Sequence, residues 1–226
     1  MSELLHFSEH TLQEVALGFM ALVYITRIAW FLRFKAGKER QGPTGKGSAT
    51  PTKSILYSWA NIAMPWAMES TRRHPFFYVQ FMVFHLGVTT AIGLSFIIPY
   101  APGLLENASL VLVLQLIIGA ACLVGLARIV RRVTNLHMRA ISSPDDYFSL
   151  VLLTVWFFFA FLSVPNDVAA GEWHLLTYFM LTAFFLIYVP FSKISHYLYY
   201  PFTRYYLGKT LGYRGVTPMQ RGSASS

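Results

Sequence analysis

Two histidines lie within long apolar stretches of this chain. His85 stands in FFYVQFMVFHLGVTTAIGLSF, and His196 closes YFMLTAFFLIYVPFSKISH. An ionisable side chain inside a membrane segment is costly to leave unsatisfied and is by default a candidate functional group. Haem iron accepts imidazole as an axial ligand, so two such histidines predict a haem site. Hydrogen bonding between helices is the simpler explanation for either histidine taken alone.

The composition indicates an integral membrane protein. Of the 226 residues, 55% are hydrophobic and 12% are charged, and the mean hydropathy is +0.48. This is more apolar surface than a soluble domain of that length can bury. A membrane-spanning helix needs about 20 apolar residues. We expect an all-α bundle of five spans, forming a single domain over residues 1–226, with spans at 11–33, 76–99, 108–130, 147–164 and 174–198.

The distribution of charge predicts the orientation of these spans. All 18 Lys and Arg residues fall in three regions: Arg27 to Arg73, Arg128 to Arg139, and Lys193 to the carboxyl terminus. By the positive-inside rule these regions face the cytoplasm, so the amino terminus faces outward and the carboxyl terminus is cytoplasmic. Orientation explains the net charge of +8, and no nucleic-acid partner is expected.

The first cytoplasmic region, residues 35–70, has two parts. Residues 35–53 are rich in Gly, Pro, Ser and Thr, which predicts a turn-forming linker. Residues 54–70 include Trp59 and Trp66 and are too short to span, which predicts a helix at the membrane interface. This helix either anchors the chain in lipid or docks a soluble partner. Residues 215–226 are predicted to form a disordered tail.

The two histidines are expected at similar depths in the membrane. His85 lies 12 residues beyond Arg73, and His196 lies 8 residues before Arg204. Helix geometry then puts them about 18 Å and about 12 Å inward from the cytoplasmic helix ends. A tilted helix absorbs this difference, so spans two and five can hold a b-type haem between one histidine on each side. Gly87 is expected to leave room for the macrocycle to pack.

Several cations lie near the predicted cytoplasmic face and could pair with the haem propionates. Snorkelling of the side chain toward lipid headgroups is the simpler explanation for any one of them. Pro190, which lacks a backbone donor, is expected to kink span five and aim His196 at the iron. The candidate propionate partners are Lys193, Arg72, Arg73 and Arg132.

Short motifs in the chain resemble a known family. FHLG at 84–87, the pair Arg131 and Arg132, and PFSKISH at 190–196 are similar to the cytochrome b membrane subunit of respiratory nitrate reductase, its gamma chain. The stretch TRRHPFFYVQFMVFHLG more closely resembles the membrane subunits of heterodisulfide-reductase-like complexes, including those of sulfur metabolism.

This resemblance implies a five-helix cytochrome b in the cytoplasmic membrane of a bacterium or archaeon. Such a subunit passes electrons between the quinone pool, menaquinone or ubiquinone, and a cytoplasmic iron-sulfur subunit of a respiratory oxidoreductase complex. The alternative is a haem-free membrane anchor or a small transporter subunit, whose histidines bond to neighbouring helices.

The resemblance also implies the number of haems. The nitrate reductase subunits hold two haems on four histidines of the second and fifth spans. The inner pair matches His85 and His196, whereas the outer pair falls on Ser95 and Tyr178. We therefore expect one haem b. A second haem would have to use His174, His10 or His6.

Overall fold

The computed structural model describes residues 2–34, 37, 40, 42, 43, 45, 50–169 and 171–216. Regular structure throughout these residues is helical, which confirms the all-α prediction. In chain order the α-helices are α1 Glu3–Glu9, α2 Thr11–Arg33, α3 Pro51–Ala60, α4 Glu69–Arg73, α5 Pro75–Tyr100, α6 Ala108–Thr134, α7 Leu136–Ala140, α8 Pro144–Ser163, α9 Trp173–Tyr188 and α10 His196–Tyr213.

Five helical segments are long and apolar enough to cross a membrane, which confirms the predicted five-span membrane protein. The predicted bounds of spans one to four agree with α2, α5, α6 and α8 to within about one helical turn. The segments are Glu3–Arg33, Pro75–Tyr100, Ala108–Thr134, Pro144–Ser163 and Trp173–Phe191.

Span five ends earlier than predicted. After α9 the chain makes a 3-10 turn, Val189–Phe191, and Ser192 is extended with φ −103° and ψ 171°. Pro190 cannot donate a backbone hydrogen bond and so ends the helix, and its carbonyl accepts one from the Arg27 guanidinium. The predicted range 174–198 was therefore wrong at its carboxyl end, and Pro190 terminates the helix where we had expected a kink.

The helices form two compact units. The first comprises Met1–Arg27 and Val79–Ile194, and the second comprises Ile28–Tyr78 and Ser195–Ser226. The first unit therefore contains most of each membrane span. The single domain expected over 1–226 stays a prediction.

The core of the first unit is built by large side chains from α5, α8 and α9 and by small residues of α6. Phe157, Tyr178 and Phe179 are fully buried there. A methyl group added at Gly125 of α6 would lie 2.5 Å from the hydroxyl oxygen of Thr154 on α8. Such close backbone approach is how small residues join membrane helices, where packing replaces the hydrophobic effect.

The second unit is organised around α3, which packs closely on α10. A methyl group added at Gly208 of α10 would lie 2.5 Å from the Cα of Ile55, and one at Gly212 would lie 2.7 Å from the Cα of Pro51. Near the other end of the contact, the Trp59 indole donates to the carbonyl of Pro201 at 2.8 Å. Both glycines of α10 are therefore required by the close approach of the two helices.

The predicted interfacial helix over 54–70 is interrupted. α3 ends at Ala60 and is followed by 3-10 turns at Asn61–Ala63 and Pro65–Ala67, because Pro65 cannot continue the helical hydrogen bonding. Ten of the nineteen residues of the predicted linker 35–53 lie outside the described residues, and its last three residues belong to α3. Residues 217–226 of the predicted tail also lie outside them.

Candidate functional site

His85 lies in α5 with a defined tautomer. Its Nδ1 is 2.8 Å from the carbonyl oxygen of Phe81, one turn earlier. A carbonyl only accepts hydrogen bonds, so Nδ1 carries the hydrogen, and in the neutral imidazole the lone pair is then on Nε2. A histidine that binds a metal commonly donates a hydrogen bond from its other ring nitrogen in this way. The hydrogen bond fixes the orientation of the ring and raises the basicity of the ligating nitrogen. The side chain present at His85 thus fits an axial ligand of haem iron.

Aromatic rings and one arginine surround this position. Phe84, next to His85, packs edge to face on Phe157 with ring centroids 5.2 Å apart. The guanidinium of Arg128, on α6, lies over the same Phe84 ring at 5.0 Å. Among the described residues no carboxylate pairs with Arg128. A partly buried cation in a membrane span is costly unless it pairs with an anion.

Sequence reasoning missed Arg128 as a site residue. It entered only as the first member of a basic region, although it lies one helical turn deeper in span three than Arg131 and Arg132. That extra depth was the available signal, since an arginine well inside a span is more costly than one at its end.

His196 is the first residue of α10 and is exposed. It belongs to the second unit, whereas His85 belongs to the first. The predicted similar depth assumed that His196 lay on span five, but the span ends at Phe191, five residues before it. The depth argument therefore no longer supports the pair, and axial ligation by His196 stays a prediction that rests on the family resemblance.

Lys193 and Arg132, two of the predicted propionate partners, meet at the start of α8. The Lys193 ammonium donates to the hydroxyl of Ser143 at 2.8 Å and lies 3.0 Å from a carboxylate oxygen of Asp146. Arg132 lies 3.9 Å from the same oxygen and donates to Ser142 at 2.7 Å. Ser143 and Asp146 form a capping box that begins α8. In the structure these two cations thus neutralise Asp146 at a helix end.

The other two predicted propionate partners lie in the second unit. Arg72 donates to the carbonyl of Trp66 at 2.6 Å. Arg73 forms an ion pair with Glu69, one turn earlier on α4, at 2.5 Å. Both side chains are exposed, and the propionate role of each stays a prediction.

Gly87 packs against protein. A methyl group added there would overlap the Cβ of Ala121 on α6. Gly87 therefore lets α5 and α6 approach each other one half-turn beyond His85, a role that differs from the predicted packing against a macrocycle.

The positions where the family has its outer histidines are closely packed. Tyr178 is fully buried, and its hydroxyl donates to the carbonyl of Ala91 on α5 at 2.6 Å. Its ring stacks on Trp156 with centroids 6.2 Å apart. The Ser95 hydroxyl donates to the carbonyl of Ile92 at 2.7 Å. Tyr178 therefore links α9 to α5 at this level of the bundle.

The comparisons with known proteins give one distant relative. The chain is 25% identical over 197 residues to a curated protein of Nitratidesulfovibrio vulgaris (strain Hildenborough) that is described only as "Protein", and the similarity covers 81% of this chain and 83% of the relative. No family model matches the chain, and no solved structure matches it. The similarity extends over most of both chains, but the description of the relative gives no activity.

The remaining histidines considered for a second haem lie apart from His85 along the spans. The rings of His6 and His10 are 4.8 Å apart, and His10 lies 5.4 Å from the ring of Tyr100 at the end of α5. His174 is buried in the first turn of α9. Within the described residues, no three His, Cys, Asp or Glu side chains form a group that could hold a metal ion.

Proposed function

We propose that this chain is a membrane cytochrome b that binds one haem b, with His85 and His196 as the axial ligands. It would transfer electrons between the quinone pool, menaquinone or ubiquinone, and the iron-sulfur subunit of a heterodisulfide-reductase-like or nitrate-reductase-like complex on the cytoplasmic side. The observation that carries this proposal is the hydrogen bond from Nδ1 of His85 to the carbonyl of Phe81, within a membrane span. The motif resemblance and the five spans support it.

The surroundings of His85 would prepare it to bind iron. The carbonyl of Phe81 holds the imidazole in one orientation and leaves the lone pair on Nε2. Phe84 and Phe157 form an apolar surface beside the His85 ring. An apolar surface limits the access of water to a metal site and so influences its reduction potential. When bound, the haem supplies a centre that accepts and returns one electron. The histidine would keep the same ligating nitrogen throughout.

Arg128 is the cation that we assign to a haem propionate. It lies over the ring next to His85 and has no carboxylate partner in the described part of the chain. Lys193 and Arg132 are weaker candidates, because each would have to give up Asp146. An arginine that pairs with an anion inside the span would also lower the cost of its own burial.

The packing of Tyr178 supports a single haem. A second haem at the family's outer position would have to displace a fully buried ring, its stacking on Trp156 and its hydrogen bond to α5. These contacts join α9 to α5 without any cofactor.

An absorbance spectrum of the purified, full-length protein tests the proposal. We expect a reduced b-type alpha band that is lost in His85→Ala and in His196→Ala, while all five spans still insert. His137→Ala is the matched control, because His137 is exposed on α7 and should leave the band intact. If the wild-type protein shows no band, the haem-free anchor or transporter subunit is the better account. A band that survives His85→Ala would contradict the assigned ligand.

A further inference from the structure

The second compact unit carries all of the excess positive charge of the protein. Residues 28–78 and 195–226 contain 12 of the 18 Lys and Arg residues but only Glu39 and Glu69 of the 10 acidic residues, a formal charge of +10. The rest of the chain is slightly acidic. A surface with such an imbalance attracts anions over a Debye length.

The α3 and α10 helices form a closely packed antiparallel helix pair within this unit. Gly208 and Gly212 bring the backbone of α10 against α3, which leaves Ser54 and Ser58 buried between the helices. The Trp59 indole and the Tyr200 hydroxyl each donate a hydrogen bond across the pair, at 2.8 Å and 3.1 Å. The outward side chains of both helices are thus presented on a single framework.

Many of those outward side chains are aromatic or apolar. Trp66 is 57% exposed and Tyr213 is 50% exposed. An exposed apolar surface of this kind marks an interaction site, and Trp and Tyr favour the level of lipid headgroups. The exposed aromatic and apolar residues on and beside the helix pair include Leu56, Trp59, Ile62, Trp66, Tyr205, Leu207 and Tyr213.

Cations lie directly beside these rings. Lys209 is placed over Tyr205 at 6.0 Å, and Arg204 over Tyr200 at 5.4 Å. Neither cation pairs with a carboxylate in the part of the chain that the structure describes. Long basic side chains that lie along aromatic rings at a membrane surface direct their charge to phosphate groups while their methylenes stay in apolar surroundings.

We propose that the α3–α10 helix pair binds the anionic headgroups of the membrane, with its aromatic side chains inserted at headgroup level and with Arg204 and Lys209 on lipid phosphates. Charge complementarity and the mixture of Trp, Tyr and basic side chains favour lipid over an acidic protein as the occupant. The order of elements along the chain also supports a lipid partner, because α10 begins only five residues after the last residue of span five. The inference extends the predicted interfacial helix to α10 and does not depend on haem binding.

The test uses full-length protein in nanodiscs of phosphatidylcholine, or of three parts phosphatidylcholine to one part phosphatidylglycerol. Cys122→Ser removes the single thiol, and Tyr205→Cys then takes an environment-sensitive fluorophore. Quenching by brominated lipid reports insertion, and quenching by aqueous iodide reports exposure. His137→Cys, at an exposed site on α7, is the labelled control and should be reached by iodide in both lipids.

We expect the label at position 205 to be inserted in the anionic nanodiscs. Neutralising Arg204 and Lys209 with glutamine should reduce the ratio of inserted to exposed label about fivefold for each cation. Arg139→Gln removes the same charge from α7 and should leave the ratio unchanged. If iodide reaches the label at position 205 equally in both lipids, the proposal is overturned. That result is the one expected if this surface binds a protein subunit instead of lipid. Equal insertion in both lipids would overturn the proposed preference for anionic headgroups.

Discussion

The contact between Gly87 and Ala121 allows a sharp test of how the helix that carries His85 is held. A methyl group at position 87 would overlap the Cβ of Ala121, so Gly87→Ala forces α5 and α6 apart or shifts one along the other. Overpacking of this kind costs about 1–3 kcal/mol. Because the overlap is with a Cβ, which no rotamer change can move, the cost should lie in the upper part of this range, at about 2–3 kcal/mol. The better helix propensity of alanine would return about 1 kcal/mol, so the net loss of unfolding free energy should be about 1–2 kcal/mol.

Ala121→Gly provides the matched control. Alone, it should cost about 1 kcal/mol, through the flexibility of glycine and the methyl that is lost from the interface. Combined with Gly87→Ala, it moves the methyl from one helix to the other and should restore most of the stability. The double variant should therefore be more stable than the sum of the two single effects by at least about 1 kcal/mol.

Unfolding in mixed micelles, followed by circular dichroism, measures these differences, and the haem content of each variant should be recorded alongside. We expect Ala121→Gly to restore both stability and haem in the Gly87→Ala background. If Gly87→Ala is as stable as the wild type, or if Ala121→Gly restores nothing, the α5–α6 contact is not as described. Loss of haem in Gly87→Ala that Ala121→Gly does not repair would instead support the role predicted from sequence, in which Gly87 packs against the macrocycle.

Three further predictions concern other contacts of the first unit. Tyr178→Phe removes a buried hydrogen bond and should lower the free energy of unfolding by about 1 kcal/mol, with the haem content unchanged; a larger haem content would contradict the packing account. Asp146→Asn should cost about 1 kcal/mol in the same assay, because it weakens a helix cap, and Lys193→Gln should cost less, because Lys193 is exposed. Hydrogen bonds from Ser2 lower the pKa of Glu172 below its ordinary 4.5, so this contact should persist above pH 4.5 and be lost as the pH falls through the lowered pKa. Hydrogen exchange in α1 measures it, as protection factors relative to the intrinsic exchange rate at each pH. Protection factors that do not fall on acidification would contradict it.

Hydropathy was sufficient to predict the all-α fold with five membrane-spanning helices. A run of about 20 apolar residues has few alternatives to a spanning helix, because every backbone polar group in lipid needs an internal partner. The same reasoning failed at the end of span five. The aromatic residues Tyr197 to Tyr200 continue the apolar pattern past Pro190, so composition alone did not mark where α9 stops and α10 begins.

The environment of His85 could be predicted only in part. Its position in a span follows from the sequence, and so does the proximity of the i−4 carbonyl that accepts a hydrogen bond from its Nδ1. The neighbours on other helices do not follow, because they depend on helix rotation. Arg128 over Phe84 and Ala121 against Gly87 are contacts of this kind. The first involves a residue that the sequence did not single out, and the second differs from the packing predicted for Gly87.

The ratio of haem to protein in the purified chain tests the central claim most directly. A pyridine haemochrome assay on the full-length protein, set against its amino-acid analysis, should give one haem b per chain in the wild type and none in His85→Ala. A ratio of zero in the wild type would contradict the assignment as a cytochrome. A ratio of two would show that His174, His10 or His6 contributes a ligand and that Tyr178 does not fill the second haem position.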